Sequence, residues 1–444
     1  MKSKKPKQAK FSSARIFQWL VAVGLGLLGL WQFHNVEFYS HFDLVPGGRG
    51  DNRLVTALLE YFYHALKGEG PFRSPAFYYP AQGTLGYADV FLNYAIPYGV
   101  LRSAGWDVFS CYQACGLLFS VLNYACAFLL PYRGLRQGVV ASALGAFLFA
   151  FNAPKFNQMS HPQLQCLFLL PLVVWVVVEW VKRNKKLPKG EAFGFLALAA
   201  LLADFQFYSG FYAAWFFLFW ALLFLALCLC LKAARVFLKE LWGRNKFPLL
   251  GAAGIFTLGL IPFLWIYLPV IHDLGGRDYS EVQMMIPDPW AFLWMGPRHS
   301  WWGWLWDHCQ AIRNYPVEGE ERDGLGIAVL TAWVLLTLAA GWSFKKKKVL
   351  PLGVSNPTYE SFAKAMVLAT ALFVLLSLKY PGDISPWRII FEIVPGGGSI
   401  RAVSRYVIVL ALPLSMALAF TFQALWERIQ KMPKTPARLG LGGL

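Results

Sequence analysis

Long apolar runs separated by short polar segments make up most of this chain. Each run approaches the roughly 20 residues that an α-helix needs to cross the hydrocarbon core of a bilayer. The pattern therefore predicts an all-α polytopic membrane protein with about ten transmembrane helices. The predicted spans are residues 15–33, 108–130, 138–152, 163–181, 191–207, 211–231, 249–271, 324–342, 361–378 and 404–424.

One further apolar run, residues 89–101, is too short to cross easily and contains Asp89 and Pro97. If it does not cross and the N-terminus is inside, every dense basic segment falls on the inner side, as the positive-inside rule requires. We therefore expect residues 89–101 to form a helix on the outer surface, with both termini cytoplasmic. The basic segments are residues 131–138, 182–190, 232–248, 344–360 and 431–438.

Composition supports the membrane assignment. The chain of 444 residues is 57% hydrophobic and only 15% charged, well below the usual charged share of about 25%. The net charge of +17 first indicates nucleic acid, but the lysines cluster between apolar runs, so no nucleic acid partner is expected. Six of the seven cysteines lie in apolar runs without metal-ligand spacing, which is typical of small core residues.

The predicted organisation is a single transmembrane domain, residues 1–430, followed by a short cytoplasmic tail, residues 431–444. The first apolar run lacks a small-residue cleavage site, which favours an uncleaved first span. Under the predicted topology every aspartate and histidine falls outside or at an outer helix end. We therefore expect the outer loops to carry the functional residues. The largest of these loops are residues 34–107, 272–323 and 379–401.

The stretch of residues 41–53 places Asp51 on a glycine-rich turn between Arg49 and Arg53. A carboxylate there could act as general base for an acceptor hydroxyl, or hold a divalent cation (Mg²⁺ or Mn²⁺) bound to a phosphate. The alternatives are an ion pair with Arg53 or an N-cap for a helix that begins near Asn52. An amphipathic segment, residues 54–66, follows.

Two more residues of the outer side are candidates for chemistry. Asp89 could supply a second catalytic carboxylate, or it could simply cap the surface helix. His161, at the outer start of a span, could be a base or a plain helix-end contact.

Arg401 and Arg405 lie four residues apart at the outer start of the last span. If they are helical they share one face, and arginine forks match phosphate oxygens. The alternative is snorkelling of two long side chains at the interface.

Aromatic residues add candidates for substrate binding. Tyr208, in the tight link between two spans, would point into any outer cavity, but an interfacial aromatic belt explains it equally well. Arg277 is a further candidate at the start of loop 272–323. The tryptophans of that loop fit a belt or sugar stacking: Trp290, Trp294, Trp301, Trp302, Trp304 and Trp306.

No P-loop, dinucleotide fingerprint or GxSxG elbow occurs in a suitable context. A transporter should carry ionisable groups at mid-span, and the predicted span centres are almost free of charge. A lipid-linked saccharide flippase and a scaffold without chemistry are the alternatives to an enzyme.

Gly50-Asp51-Asn52, the segment 89–101, His161-Pro162-Gln163 and the stretch 394–406 together resemble the GT-C superfamily of membrane glycosyltransferases. The resemblance implies a polyprenyl-phosphate-linked sugar donor. It implies that Asp51 is the loop-one carboxylate that acts as base or helps to hold a metal, and that Arg401 and Arg405 bind phosphate. The chain lacks the paired acidic residues of the clearest members unless Asp89 supplies the second.

The expected function is an inverting transfer of a sugar to a lipid, glycan or protein acceptor at the outer face of a bacterial inner membrane. Asp51 and Asp89 are the expected catalytic residues. Membrane lipids are expected partners.

Overall fold

A computed structural model describes residues 13–296, 299, 302–304, 308, 320, 323–346, 354 and 356–432. These residues are largely helical, and β-structure among them is limited to an isolated bridge between Tyr380 and Ile384. The helices are α1 (Ser13–Phe33), α2 (Asn35–Tyr39), α3 (Arg49–Leu66), α4 (Leu92–Ser103), α5 (Val108–Leu129), α6 (Val139–Ala150), α7 (Ala153–Asn157), α8 (Pro162–Gln165), α9 (Leu169–Arg183), α10 (Lys189–Ser209), α11 (Phe211–Cys230), α12 (Lys232–Leu274), α13 (Tyr279–Gln283), α14 (Ile327–Lys346), α15 (Pro357–Leu376), α16 (Trp387–Ile393) and α17 (Tyr406–Lys431).

Within the described residues, nine helical stretches are long and apolar enough to cross a membrane, and Ile327–Ser343 is a shorter apolar helix. The protein is thus an all-α, multi-span membrane protein, as the apolar runs predict. The long stretches are Ser13–Phe33, Val108–Gly134, Val139–Asn157, Pro162–Arg183, Lys189–Ser209, Phe211–Cys230, Lys232–Asp273, Pro357–Leu376 and Val403–Lys431.

Successive spans alternate in direction, so their ends define two membrane faces. One face carries residues 34–107 and is called here the loop-one face; the other is the opposite face. At the loop-one face the single residue Gly210 joins α10 to α11. The basic ends of α9 and α14, and the link that begins at Lys232, lie at the opposite face.

The helix α17 forms the centre of the bundle. Its first ten residues, Tyr406 to Ser415, are all buried, and it packs against α6, α11 and α15. Burial on all sides is typical of a helix enclosed by other helices rather than one that faces lipid. By contrast α1 is mostly exposed and lies at the edge of the bundle.

The segment after α1 forms a helical layer of its own. Its α3 buries Val55, Leu58, Leu59 and Phe62, which recur at the spacing of one helix face. These residues share a core with Tyr98 of α4. The prediction of an amphipathic segment at 54–66 is confirmed. The helix α4, with 12 residues, begins three residues after the start of the predicted surface segment 89–101 and ends two residues beyond it.

The helix α12 runs for 43 residues and is kinked where Asn245 leaves helical geometry, with φ −119° and ψ 18°. The Asn245 side chain donates to the Leu241 carbonyl at 3.1 Å and so satisfies an acceptor at the kink. The kink changes the direction of the helix axis at this point. The part of α12 that follows the kink contains the span predicted at 249–271.

Candidate active site at the loop-one face

The turn before α3 is docked onto the segment that follows α7. The Gly48 N–H donates to the Ser160 hydroxyl, and the Asn52 side chain donates to the Pro46 carbonyl. The Tyr112 hydroxyl of α5 in turn donates to the Asn52 side-chain oxygen at 3.2 Å. The start of α3 is therefore held in a defined position by two chain segments that are distant in sequence.

This docking brings together two candidates that are 110 positions apart in the chain. The Asp51 Oδ2 atom lies 3.4 Å from the His161 Nε2 atom, and the two side chains are 57% and 20% exposed. Asp51 sits in the first turn of α3, where the helix dipole favours a negative charge. Neither alternative from the sequence is formed, because the N-cap is Gly48 and the carboxylate faces His161 rather than Arg53.

Arg405 extends this contact into the protein. Its Nη2 atom lies 3.1 Å from His161 Nε2, and its Nε and Nη2 atoms donate to Glu320 at 3.0 and 2.7 Å. The Gln158 side chain donates to the same carboxylate at 3.0 Å. We call Asp51, His161, Arg405 and Glu320 the open cluster. It runs from an exposed carboxylate to a nearly buried guanidinium.

The open cluster sets the protonation of its imidazole. Burial, and then the positive charge of Arg405, lower the pKa of His161 to about 4. His161 is therefore neutral at pH 7. Because Arg405 can only donate, Nε2 must accept, and the ring proton resides on the buried Nδ1. Burial also opposes ionisation of Glu320, but hydrogen bonds and charge from Arg405 outweigh it and lower the pKa of that carboxyl.

Asp89 lies near this cluster but plays a different structural part. Its Oδ1 atom accepts the backbone N–H of Phe211 at 2.9 Å, and its pKa is raised by burial. Gln163 and the positive charge of Arg405 act in the opposite direction and lower the pKa of Asp89, but burial has the larger effect. The prediction that Asp89 caps the following surface helix is wrong: it caps α11, and the N-cap of α4 is the left-handed Phe91.

Arg401 and Arg405 do not share a helix face. Val403–Arg405 is a 3₁₀ turn and α17 begins only at Tyr406, so the i,i+4 arrangement is not formed. The Arg401 backbone N–H donates to the Tyr212 hydroxyl at 2.7 Å, while its side chain is exposed. The Arg405 guanidinium lies over the Tyr212 ring at 5.6 Å, so Tyr212 positions both arginines.

The remaining candidates lie elsewhere. The Tyr208 hydroxyl donates to the Gly259 carbonyl of α12 at 2.6 Å and thus faces α12 rather than an outer cavity. Arg277 lies just before α13 and pairs with Glu281 of that helix at 3.5 Å, and both side chains are about half exposed. Trp294 is fully buried and fits neither a belt nor sugar stacking. Trp301 and Trp306 lie outside the described residues.

The residues around Asp51 do not fit a metal centre. Among the residues that the structure describes, no group of three or more His, Cys, Asp or Glu could hold a metal ion. The immediate neighbours of Asp51 are an imidazole and, beyond it, a guanidinium, and the positive charge of Arg405 opposes a second cation. The mechanism below uses no metal.

Three members of the site were not singled out from the sequence: Glu320, Gln158 and Tyr212. Glu320 belongs to an acid-rich run, residues 318–323, in a chain with only 24 acidic residues. That run was the signal that could have identified it. Gln158 and Tyr212 carry no comparable signal, because their positions depend on how α7 and α11 pack.

A scan against models of known protein families found no match to this chain, and a search of curated proteins found none either. Any assignment of function therefore rests on the geometry of the open cluster and the residues around it.

Proposed function

We propose that this protein is a membrane glycosyltransferase. It would move a sugar from a polyprenyl-phosphate donor to an acceptor hydroxyl at the outer face of a bacterial inner membrane. The observation that carries the proposal is the convergence of Asp51, His161 and Arg405 from three distant segments at one membrane face. A site at the level of the lipid headgroups suits a donor whose lipid tail stays in the bilayer.

The proposed reaction is a single displacement. The acceptor oxygen attacks the anomeric carbon, and the bond from that carbon to the phosphate oxygen breaks with its electron pair on the phosphate. Asp51 takes the proton of the acceptor hydroxyl, which makes the oxygen a better nucleophile. The configuration at the anomeric carbon is inverted.

The two arginines take different roles in this scheme. Arg405 is already engaged by Glu320 through two hydrogen bonds and holds His161 in its neutral form. With Nε2 accepting from Arg405, His161 makes no hydrogen bond to Asp51. Arg405 is therefore assigned to holding the neutral imidazole beside that carboxylate, where it helps to orient the acceptor hydroxyl. Arg401 has an exposed guanidinium with no ion-pair partner among the described residues, so it is assigned to the donor phosphate, where it offsets the charge on the leaving group.

The decisive experiment replaces Asp51 by Asn and measures transfer from radiolabelled polyprenyl-phosphate sugars in membrane vesicles. Loss of a general base predicts a fall in rate of about 10²–10⁴-fold with little change in donor binding. Asp43→Asn is the matched control, because Asp43 is an exposed carboxylate in the same turn. Full transfer by Asp51→Asn, or an equal loss in Asp43→Asn, would remove Asp51 from the chemistry.

Membrane orientation is tested separately, by labelling with an impermeant maleimide in intact spheroplasts. In a background with Cys230 and Cys309 replaced by Ser, Ala81→Cys should label from outside and Lys185→Cys only after lysis. Both positions are exposed, on the loop-one face and the opposite face respectively. The reverse pattern would place the open cluster in the cytoplasm and exclude the proposed location of the reaction.

A further inference from the structure

A basic cleft opens at the opposite face of the membrane, away from the open cluster. Its volume is about 750 Å³, within the usual range of about 300–1,000 Å³ for small-molecule sites. The same span that begins beside His161 ends here, since Pro162–Arg183 runs about 1.5 Å per residue from one face to the other. The cleft is lined by Arg133, Arg136, Trp175, Lys182, Arg183 and Lys186.

The charge of the cleft is unbalanced. Its one carboxylate, Glu179, pairs with Lys182 at 2.9 Å and with Arg183 at 2.7 Å. Within the described part of the chain, Arg133, Arg136 and Lys186 have no carboxylate partner. Three cations that converge on one recess repel one another, and an anion between them would relieve that repulsion.

The wall of the cleft is built by a π-turn, Leu130–Gly134, that follows α5. The Leu135 N–H reaches back to the Leu130 carbonyl at 3.0 Å, and Lys182 donates to the Arg133 carbonyl at 3.4 Å. A Cβ on Gly134 would lie 3.1 Å from the Trp175 ring, so the turn packs directly on that indole.

Two further features describe the walls of the cleft. Trp175 contributes its indole ring, whereas the Nε1 atom is buried beneath the turn at Gly134. Arg136 lies at a φ of 57°, a conformation that costs energy for a residue with a side chain, and its side chain is exposed.

We propose that the basic cleft binds a phosphate-bearing anion of headgroup size. Arg133, Arg136 and Lys186 would contact the phosphate oxygens. Leu129 and Leu187 add an apolar wall suited to the glycerol or acyl part of a lipid. The phosphate comes from an anionic lipid or from a soluble phosphate compound. The site is independent of the proposed glycosyl transfer.

The test uses the full chain in phosphatidylcholine nanodiscs. One arm includes a minor share of phosphatidylglycerol and counts the lipids retained by native mass spectrometry. The other titrates inorganic pyrophosphate by calorimetry. The triple variant Arg133→Gln, Arg136→Gln, Lys186→Gln should weaken binding of the preferred probe about tenfold or more. Retention of phosphatidylglycerol alone identifies a lipid site, and binding of pyrophosphate identifies a site open to soluble phosphates.

The matched control is the triple Lys232→Gln, Arg235→Gln, Lys239→Gln, which removes the same charge from exposed positions of α12 at the same face. It should bind like the wild type. Equal losses in both triples would show that only net charge matters, and failure of both probes to bind the wild type would also overturn the proposal. If the cleft triple does not fold, the single variant Lys186→Gln decides. Its side chain is exposed, and its loss should weaken binding about threefold or more, whereas unchanged binding would contradict the proposal.

Discussion

Two of the histidine–carboxylate clusters near the loop-one face differ chiefly in access. In the closed cluster, His34 Nδ1 lies 2.6 Å from Glu37 and His34 Nε2 lies 2.8 Å from the Ser120 hydroxyl. All three side chains are at most 3% exposed. In the open cluster the imidazole of His161 faces a carboxylate, Asp51, that is more than half exposed.

The imidazole of the closed cluster has shorter hydrogen bonds than that of the open cluster, but a substrate has no room to reach it. Its order of hydroxyl, imidazole and carboxylate matches the arrangement that activates a serine nucleophile. Yet the cavity beside it holds only about 20 Å³, which is room for about one water molecule. A substrate cannot reach Ser120. The contacts instead hold the link between α1 and α2 against α5. Solvent access, rather than hydrogen-bond geometry, therefore distinguishes a candidate active site from a structural contact.

The largest expected difference between the two clusters is in stability. His34→Ala removes the only hydrogen-bond partner of a buried Glu37 side chain within the described residues and opens a cavity. We expect a loss of about 4 kcal/mol in the free energy of unfolding, because a buried carboxyl group loses its hydrogen bond and a cavity is left behind. Unfolding in mixed detergent micelles measures it.

His161→Ala is the counterpart variant. His161 lies at an accessible surface, so the change should cost about 1 kcal/mol or less in stability while it lowers transfer. Equal destabilisation by the two substitutions would mean that the open cluster is also a structural contact and would weaken its assignment as the active site.

The spans could be predicted from sequence because the bilayer core provides no water to hydrogen bond with an exposed backbone. A long apolar run has no water to satisfy its backbone, so it must be helical. The predicted 163–181 and the observed Pro162–Arg183 differ only at their ends. The amphipathic segment at 54–66 was equally readable, because its apolar residues repeat at helical spacing and α3 buries them.

The site was only half predictable. Asp51, His161 and Arg405 were chosen for residue type and position near span ends, and the structure brings them together. Their pairing depends on helix packing across hundreds of residues, which a local pattern does not encode. The same dependence explains why the sequence does not show the direction of the Tyr208 side chain or the contact between Glu320 and Arg405, since only tertiary contacts fix them.

The open cluster should also make stability depend on pH. His161 has a pKa of about 4 in the folded protein against 6.5 in an exposed chain, so the unfolded state takes up the proton first. Stability from this group is complete above pH 6.5 and is lost between about pH 6.5 and 4. The loss is on the order of 3 kcal/mol.

Melting temperature against pH measures this loss, and His161→Gln should remove that component of the slope. Asp51, Arg405 and Glu320 face the imidazole, and the raised pKa of Asp89 acts in the opposite sense at acid pH. Only the difference between the wild type and His161→Gln isolates His161. Parallel curves for the two proteins would contradict the assigned protonation state.

The smallest expected effect tests how the open cluster is assembled. Gly47 has a φ of 96°, and a Cβ there would lie 2.7 Å from the Ser160 hydroxyl and 2.9 Å from its backbone nitrogen. Gly47→Ala should therefore cost about 1–2 kcal/mol and push the turn away from the residue before His161. Gly50→Ala is the control, because a Cβ there meets nothing within 4 Å and alanine suits a helix.

If the Gly48–Ser160 contact sets the distance between Asp51 and His161, Gly47→Ala should lower transfer by more than its loss of stability explains, while Gly50→Ala leaves transfer unchanged. The closed cluster, which lies on the other side of the same turn, should keep its contribution to stability in both variants. Normal transfer by a destabilised Gly47→Ala protein would show that Asp51 works without a fixed distance to His161, and the role of His161 would then fall.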